Sequence, residues 1–343
     1  MEAFIMNKAL KKTLKIAAIA LIAIVVLAML VLMGFKAYDR IKYNSFYSNA
    51  QREFAIPGLK DGYVPQGFDY HDGEKVFLSC GYMSNGKSSR VYVIDKYGNY
   101  TYTELRDEYN NAYTGHTGGI AYYNDFLYIT GSDGVDVFSL EDVLKGEEKT
   151  ALRGTIGTYG INPAFCFIHD GELFAGAFHK DGDYDTPMSH HIEVKPGEVN
   201  KALMVTFKLS DAGVATYGVD PAPRAVYSLP SYVQGITVTE DNKMMLSTSW
   251  GLTTSKIYIH DFKEISGEFN GTAYKTTVIG DKELPLYYVS SDSLIKTVEA
   301  PPMAEEILYQ NGRIWIMNES ACNKYIFGKI TTGNYLYSYE YQD

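Results

Sequence analysis

Apolar and polar residues alternate with a period of two along most of the chain beyond residue 60. Five segments share one pattern, in which an alternating stretch leads through a turn containing Asn, Asp or Gly into a second alternating stretch. These segments span Gln66–Cys80, Gly118–Thr130, Pro163–Gly176, Gln234–Thr248 and Glu305–Met317. Because such alternation is typical of β-strands and such turns join antiparallel strands, each segment predicts a β-hairpin.

A hairpin that recurs five times predicts an all-β fold, and specifically a β-propeller in which each hairpin begins one blade. We therefore predict five blades. A long stretch follows the fourth hairpin, and it contains two further strand-like segments, Tyr274–Ile279 and Leu284–Val289. The sequence thus leaves a sixth blade open. One short helical turn is predicted at Leu140–Leu144.

Residues 16–35 form an apolar run without a charged side chain. A helix of this length is about 30 Å long, which is enough to cross a bilayer. The run is longer than the apolar region of a cleaved signal peptide, and no small-residue cleavage pattern follows it, so we predict an uncleaved signal anchor. The expected organisation is a cytoplasmic tail at 1–15, the transmembrane helix at 16–35, a stalk at 36–52 and an extracytoplasmic propeller at 53–343. The protein would cross the cell membrane once, with its basic flank inside.

The chain is acidic, with a formal net charge of −10, although residues 1–42 carry seven Lys or Arg and only two Asp or Glu. The excess of acidic residues is therefore concentrated in the predicted propeller. Nucleic acid is excluded as a partner, because its recognition needs a basic surface.

Three cysteines occur, and their positions suggest two different environments. Cys166 alternates with phenylalanines inside a strand, which predicts a buried thiol. Cys80 and Cys322 follow the second strands of the first and last repeats, which are neighbours in a closed ring. A Cys80–Cys322 disulfide and two isolated thiols both remain open.

Propeller geometry predicts where a site lies before any residue is assigned a role. The first strand of each blade lines the central channel and the second returns beside it, so first-strand starts and second-strand ends share one face. The residues at these positions that we expect to bind a ligand are Gln66, Tyr82, His116, Asn162, His179, Gln234, Trp250, Glu305, Asn318 and Glu319. Polar groups that converge in a concavity indicate a ligand site. The alternative is a water-filled channel, in which polar side chains are hydrated and have no function.

Two members of this set are candidates for catalysis. His116 is flanked by glycines and would act as a general base or metal ligand. Strand alternation allows only one of Glu305 and Glu306 to face inward, and the register favours Glu305. Glu305 and Asn162 are candidate metal ligands, and the sequence leaves open whether a metal binds.

A further acidic loop at Asp181–Asp185 resembles a calcium loop, but an EF-hand is excluded because the twelfth position is Ile192 instead of Glu. The sequence also contains no HExxH, G-x-S-x-G, Walker or dinucleotide-binding motif. The chemistry must therefore come from residues brought together by the fold.

The phrases Pro65–Gly67 and Val233–Val238 resemble blade starts in the propeller group that contains gluconolactonases, strictosidine synthases and paraoxonase-type arylesterases. The segment Met303–Gly328 also resembles uncharacterised bacterial secreted propellers. The first resemblance implies calcium held at the channel, and the matching positions here are Gln66, Asn162, Gln234 and Glu305.

Two functions follow as expectations. The first is a binding or scaffold module that presents its channel face to a small molecule, glycan, peptide or cell-envelope partner, in keeping with the 30 tyrosines and the membrane tether. The alternative is a calcium-assisted hydrolase of the lactonase or arylesterase type, in which calcium polarises a carbonyl and His116 is the base.

Overall fold

The computed structural model describes residues 8–211, 215–265, 268–269, 272–273, 275–276, 279 and 282–341. The chain divides into two compact units, of which the helical one ends at Asn44 and the β-rich one begins at Ser45. The α-helices are α1 (Lys8–Lys42), α2 (Asn44–Asn49) and α3 (Leu140–Lys145). Single 3₁₀ turns span Leu59–Asp61, Met188–His190, Phe262–Glu264, Glu319–Ala321 and Gly328–Ile330.

Helix α1 is apolar and long enough to cross a membrane between Leu10 and Lys42. It extends beyond both ends of the uncharged run at 16–35, because the flanking lysines and Arg40 are good helix formers that continue the same helix. Its apolar side chains are exposed. Helix α3 confirms the helical turn predicted at Leu140–Leu144, and the Ser139 hydroxyl caps it by accepting a hydrogen bond from the Asp142 amide.

The β-strands follow one another in short hairpins and meanders. In chain order they are β1 (Ala50–Ala55), β2 (Tyr63–His71), β3 (Val76–Met83), β4 (Arg90–Ile94), β5 (Tyr100–Arg106), β6 (Ile120–Tyr123), β7 (Phe126–Thr130), β8 (Gly134–Ser139), β9 (Lys149–Ala151), β10 (Gly154–Gly157), β11 (Pro163–His169), β12 (Glu172–Ala177), β13 (Ile192–Lys195), β14 (Glu198–Asn200), β15 (Ala202–Leu209), β16 (Val219–Leu229), β17 (Val233–Val238), β18 (Lys243–Thr248), β19 (Ser255–Asp261), β20 (Glu268–Phe269), β21 (Thr272–Ala273), β22 (Lys275–Thr276), β23 (Leu284–Tyr288), β24 (Leu294–Ala300), β25 (Ala304–Gln310), β26 (Arg313–Asn318) and β27 (Tyr335–Glu340).

These strands form a five-bladed β-propeller, as predicted. From the channel outward, blade 1 is β2-β3-β4-β5, blade 2 is β6-β7-β8-β10, blade 3 is β11-β12-β15-β16, blade 4 is β17-β18-β19-β24, and blade 5 is β25-β26-β27-β1. Each inner strand contacts the inner strands of the two neighbouring blades, so β2, β6, β11, β17 and β25 form a closed ring. The five hairpins recognised in the sequence are the inner two strands of the five blades.

The ring is closed by β1, which supplies the outermost strand of blade 5. Residues 50–52, which the sequence assigned to the stalk, are the first half of this strand, and Arg52 pairs with Tyr337. The Ile56 amide donates to the Asn334 carbonyl at 2.8 Å, and Phe54 contacts Phe77 of blade 1 with ring centroids 5.4 Å apart. The start of the propeller thus fastens its last blade to its first.

The stretch that left a sixth blade open adds to the edge of an existing blade. Strand β23 pairs in parallel with β16, the outer strand of blade 3. The first strand-like segment, Tyr274–Ile279, falls partly outside the described residues. No sixth inner strand lines the channel among the described residues.

Apolar cores fill the spaces between blades, and they separate two of the cysteines. Cys80 lies in the core between blades 1 and 2, where its thiol donates to the Thr117 carbonyl at 3.1 Å. Cys322 lies in the core between blades 5 and 1. All three cysteines are free and buried, so the Cys80–Cys322 disulfide is not formed.

Candidate functional site

A shared β-bulge sets the positions of the channel residues. The pairing of the inner strand with the second strand shifts between Pro65 and Gly67, between Pro163 and Phe165, between Val233 and Gly235, and between Ala304 and Ile307. A bulge redirects side chains at the end of a strand and is frequent near functional sites. The shifts place Gln66, Ala164, Gln234 and Glu305 at one level of the channel.

His116 and Asn162 are not at that level, although the sequence analysis treated them as equivalent to Gln66. In blade 2 the Gly119 amide donates to the Thr130 hydroxyl at 2.8 Å, and the Gly119 carbonyl accepts from the Thr130 amide at 3.1 Å. Gly119 is therefore opposite Thr130, and Gly118 is the residue equivalent to Gln66. Ala164 is the equivalent in blade 3. His116 and Asn162 lie two residues earlier, in the connections that lead into the inner strands, and both are exposed.

The mouth of the channel, where inner strands begin and second strands end, collects a polar cluster from blades 1, 2 and 5. We call it the mouth cluster, and its members are Gln66, Tyr82, His116, Glu305, Glu319, Lys324 and Tyr325. The Tyr82 hydroxyl donates to Glu319 Oε1 at 3.3 Å, and Lys324 Nζ donates to the Tyr82 hydroxyl at 2.6 Å. Gln66 and Tyr325 also lie close enough to the Glu319 carboxylate to stabilise its ionised form. The His116 ring stacks on Tyr82, with centroids 5.0 Å apart.

Two carboxyl groups of this cluster are electrostatically coupled. Burial raises the pKa of Glu305 well above its usual range, and the neighbouring Glu319 and Glu306 raise it further. Burial also raises the pKa of Glu319, although Lys324 and the nearby Tyr325, Tyr82 and Gln66 oppose the shift. Although part of the His116 side chain stays exposed to solvent, desolvation by the surrounding protein and the Lys324 ammonium both lower the pKa of His116, which favours the neutral imidazole at pH 7. Shifted groups of this kind are concentrated at functional sites.

Deeper in the channel lies a second pair of acids, Glu306 and Asp69. Glu306 is buried, its Oε1 accepts a hydrogen bond from the Ile307 amide at 3.3 Å, and its Oε2 has no hydrogen-bond partner in the described structure. Gly235 makes room for it, because a Cβ there would lie 2.1 Å from Glu306 Oε1. Burial raises the pKa of Asp69 to about 7.

Both glutamates are therefore buried, which corrects the expectation that only one could face inward. Strict alternation holds for a regular strand, but the bulge between Ala304 and Ile307 interrupts it. Glu305 contributes to the mouth cluster and Glu306 occupies the space beside Gly235.

Three other predicted residues do not join the mouth cluster through any contact in the described structure. Gln234 is half-buried at its bulge. Asn318 is buried, and its side-chain amide donates to the Pro302 carbonyl at 3.4 Å. Asn162 is exposed, and no described contact brings it to Glu305, with which the sequence paired it as a metal ligand.

His179 and Trp250 belong to a separate group on the same face, formed by blades 3 and 4. Trp250 contacts Phe178 and Tyr184, and Lys180 Nζ lies 4.7 Å from its ring centroid. The buried His179 ring hydrogen-bonds Thr186 at 2.9 Å and Asp181 at 3.1 Å.

One group of possible metal ligands is present among the described residues, and it consists of His179, Asp181 and Asp185. It overlaps the acidic loop noted in the sequence. However, Lys201 Nζ donates to both carboxylate oxygens of Asp181, at 2.6 and 2.8 Å. The residues do not fit a cation site, because an ammonium group already neutralises the central carboxylate.

Two surface clefts lie away from the mouth. One is bordered by Thr155, Ile156, Gly157, Tyr159, Thr216, Val219 and Pro221, and the other by His71, Glu74, Asn124, Asp125, Leu140, Glu141, Leu144 and Lys145. Their ionisable residues are exposed or half-buried. The mouth cluster, with its buried and coupled carboxyls, is chemically the more specific site.

Sequence reasoning missed Lys324 and Tyr325. They lie in the connection between β26 and β27, which starts on the same face as Asn318 and Glu319. The position of this connection, directly after Asn318 and Glu319, could have indicated that its residues lie at the channel mouth. However, residues in a connection show no periodic pattern from which the orientation of their side chains could be predicted.

No protein-family model and no curated protein matches the chain. Similar solved structures include glutaminyl cyclase from Myxococcus xanthus, with a TM-score of 0.42 and 11% identity over 84% of this chain and 94% of that chain. PQQ-bound aldose sugar dehydrogenase from Streptomyces coelicolor gives a TM-score of 0.41 and 14% identity over 78% of each chain. The WD40 β-propeller domain of Doa1 gives a TM-score of 0.39 and 10% identity over 86% of this chain and 98% of that chain.

Such similarities support no statement about function. The propeller assignment rests on the strand order of the five sheets. A resemblance to propellers is thus supported, whereas the gluconolactonase, strictosidine synthase and arylesterase group is not singled out. The chain is a five-bladed β-propeller preceded by an apolar helix that is long enough to cross a membrane.

Proposed function

We propose that this protein is a membrane-anchored binding module whose channel mouth takes up a polar group of a small molecule, a glycan, a peptide or another component of the cell envelope. The burial of the two neighbouring carboxyl groups of Glu305 and Glu319 at the channel mouth carries this proposal. Burying two acids side by side costs free energy, which an incoming hydrogen-bond donor or cation offsets. The surrounding hydroxyl and amide groups of Tyr82, Tyr325 and Gln66 can orient such a ligand.

The test uses the full-length protein in detergent micelles on arrays of oligosaccharides and short peptides. We expect at least one probe to bind, and the double variant Glu305→Gln/Glu319→Gln to weaken its binding about tenfold or more, because charge-assisted hydrogen bonds are lost. Glu299→Gln, which changes an exposed acid on β24, is the matched control and should bind like wild type. Unchanged binding by the double variant would contradict the proposal.

The proposed location is the cell membrane, with residues 1–15 in the cytoplasm and the propeller outside. The basic residues that flank the apolar run support this orientation. Protease added to intact cells should therefore digest the propeller while a tag placed on residues 1–15 stays protected. Digestion of the tag alone would reverse the orientation.

A calcium-assisted hydrolase is the second candidate. The observation in its favour is the neutral His116 ring, which stacks on Tyr82 next to Glu319 and could accept a proton. Titration calorimetry with calcium separates the two functions. Micromolar binding that Glu305→Gln abolishes would favour the hydrolase, whereas absence of heat at millimolar calcium would favour the binding module.

A further inference from the structure

The ammonium group of Lys324 already occupies a small cage at the channel mouth. Its Nζ lies 4.9 Å from the ring centroid of Tyr82 and 5.1 Å from that of Tyr325. The same nitrogen donates to the Tyr82 hydroxyl at 2.6 Å, and this hydroxyl donates onward to Glu319. Two aromatic rings beside a carboxylate are the groups with which proteins recognise ammonium ions.

The carboxyl groups around this cage outnumber the single ammonium group of Lys324. Glu305 is buried beside Glu319, and no ion pair of Glu305 occurs in the described structure. Only one ammonium therefore faces two adjacent carboxyl groups. The acidic net charge of the chain, −10, also favours the approach of a cationic ligand.

Lys324 can leave the cage at little cost. Its side chain is exposed, and the charge interactions of exposed side chains contribute little because solvent screens them. Ile326 and Phe327 follow in the same connection with exposed fractions of 72% and 73%. Their apolar side chains offer a contact to the chain that would carry an incoming ammonium group.

We propose that the mouth cluster recognises the ammonium group of a lysine-like side chain on a peptide, and that Lys324 is an internal occupant which this ligand displaces. The inference rests on the proposed function and names the ligand class of the same site. A peptide is favoured over an amino sugar, because the occupant seen in the cage is itself a lysyl side chain, which Tyr325, Ile326 and Phe327 follow in the same chain.

The test measures binding of the peptide Ac-Ala-Lys-Ala-NH₂ to the full-length protein by titration calorimetry. We expect the Lys324→Met variant to bind it at least tenfold more tightly than wild type, and the ε-acetylated peptide not to bind, because acetylation removes the charge. Lys324→Met/Glu319→Gln should lose binding. Lys96→Met is the matched control, since Lys96 Nζ lies 5.0 Å from the Tyr97 ring in an exposed turn, and it should bind like wild type.

Proton release gives a second readout that a merely structural role of Lys324 would not change. Burial raises the pKa of Glu305 well above its usual range, and an added cation lowers this pKa, so binding releases protons at pH values between the two pKa values. Binding heats should therefore differ between phosphate and Tris buffers by the ionisation heat of the released protons. A heat that is independent of the buffer would contradict this coupling and the proposed site.

The outcomes separate this inference from the proposed function. If array ligands bind through Glu305 and Glu319 but the lysine and acetyl-lysine peptides bind equally, the binding module stands and the ammonium site is overturned. Weaker binding by a folded Lys324→Met variant would show that Lys324 contacts the ligand, which also overturns displacement. Tighter binding of a glucosamine hexamer than of the lysine peptide would overturn the peptide assignment. If neither an array ligand nor the lysine peptide binds, both the proposed function and this inference fail.

Discussion

Replacing Gly119 with alanine is expected to destabilise the propeller by about 3 kcal/mol or more, because the new methyl group has no space between blades 2 and 3. A Cβ at this position would lie 2.4 Å from the Cys166 amide nitrogen and 2.7 Å from Phe165 Cα. Both atoms belong to the backbone of β11, so no side-chain rotation can relieve the contact. The inner strands would have to separate, which would also loosen the core behind them.

Urea unfolding of the full-length protein in detergent micelles, followed by far-ultraviolet circular dichroism, measures this loss. Gly157→Ala is the matched control, since it also lies in a strand of blade 2 and a Cβ there would meet no atom within 4 Å. Its free energy of unfolding should stay within about 0.5 kcal/mol of wild type. Equal stability of the two variants would show that the inner strands of blades 2 and 3 do not pack as closely as described.

The repeats made the propeller predictable from the sequence. Each hairpin is local, since its two strands alternate on either side of an Asx or Gly turn, and five copies leave few other architectures. Closure was not predictable in the same way. Strand β1 pairs with β27, and the Ser338 hydroxyl donates to Glu53, although 285 positions separate these two residues. No local pattern encodes such a partner.

The candidate site was predicted in part for a related reason. The sequence correctly suggested that Gln66, Tyr82 and Glu319 meet at one face, because propeller topology alone brings first-strand starts and second-strand ends together. The β-bulges made it impossible to assign individual residues to the channel mouth from the sequence. One extra residue in a strand shifts the register without any change in composition. This is why His116 was equated with Gln66, and why Glu306 was thought to face away.

Stability should fall as pH rises above about 4.5, and Glu306 should account for part of the fall. Burial raises the pKa of its carboxyl well above the ordinary value of 4.5. The folded state therefore holds the proton more tightly than the unfolded state at pH values between those two pKa values. Stability is greatest below the unfolded pKa and decreases by about 1.4 kcal/mol per pH unit for each such group, until the pH passes the folded pKa.

Glu306→Gln is expected to remove one such group, since its amide oxygen can still accept from the Ile307 amide. The variant should match wild type within about 0.5 kcal/mol at pH 4.5 and be more stable than wild type at pH 7.5, by about 1.4 kcal/mol for each pH unit that separates the unfolded and folded pKa values. Urea unfolding at these two pH values measures the difference, with Glu299→Gln as the exposed control that leaves the pH dependence unchanged. Asp69, whose pKa is raised to about 7, keeps a residual slope in both variants. A Glu306→Gln protein with the full pH dependence of wild type would mean that Glu306 is ionised in the folded channel, and a cation or solvent would then have to stabilise its charge.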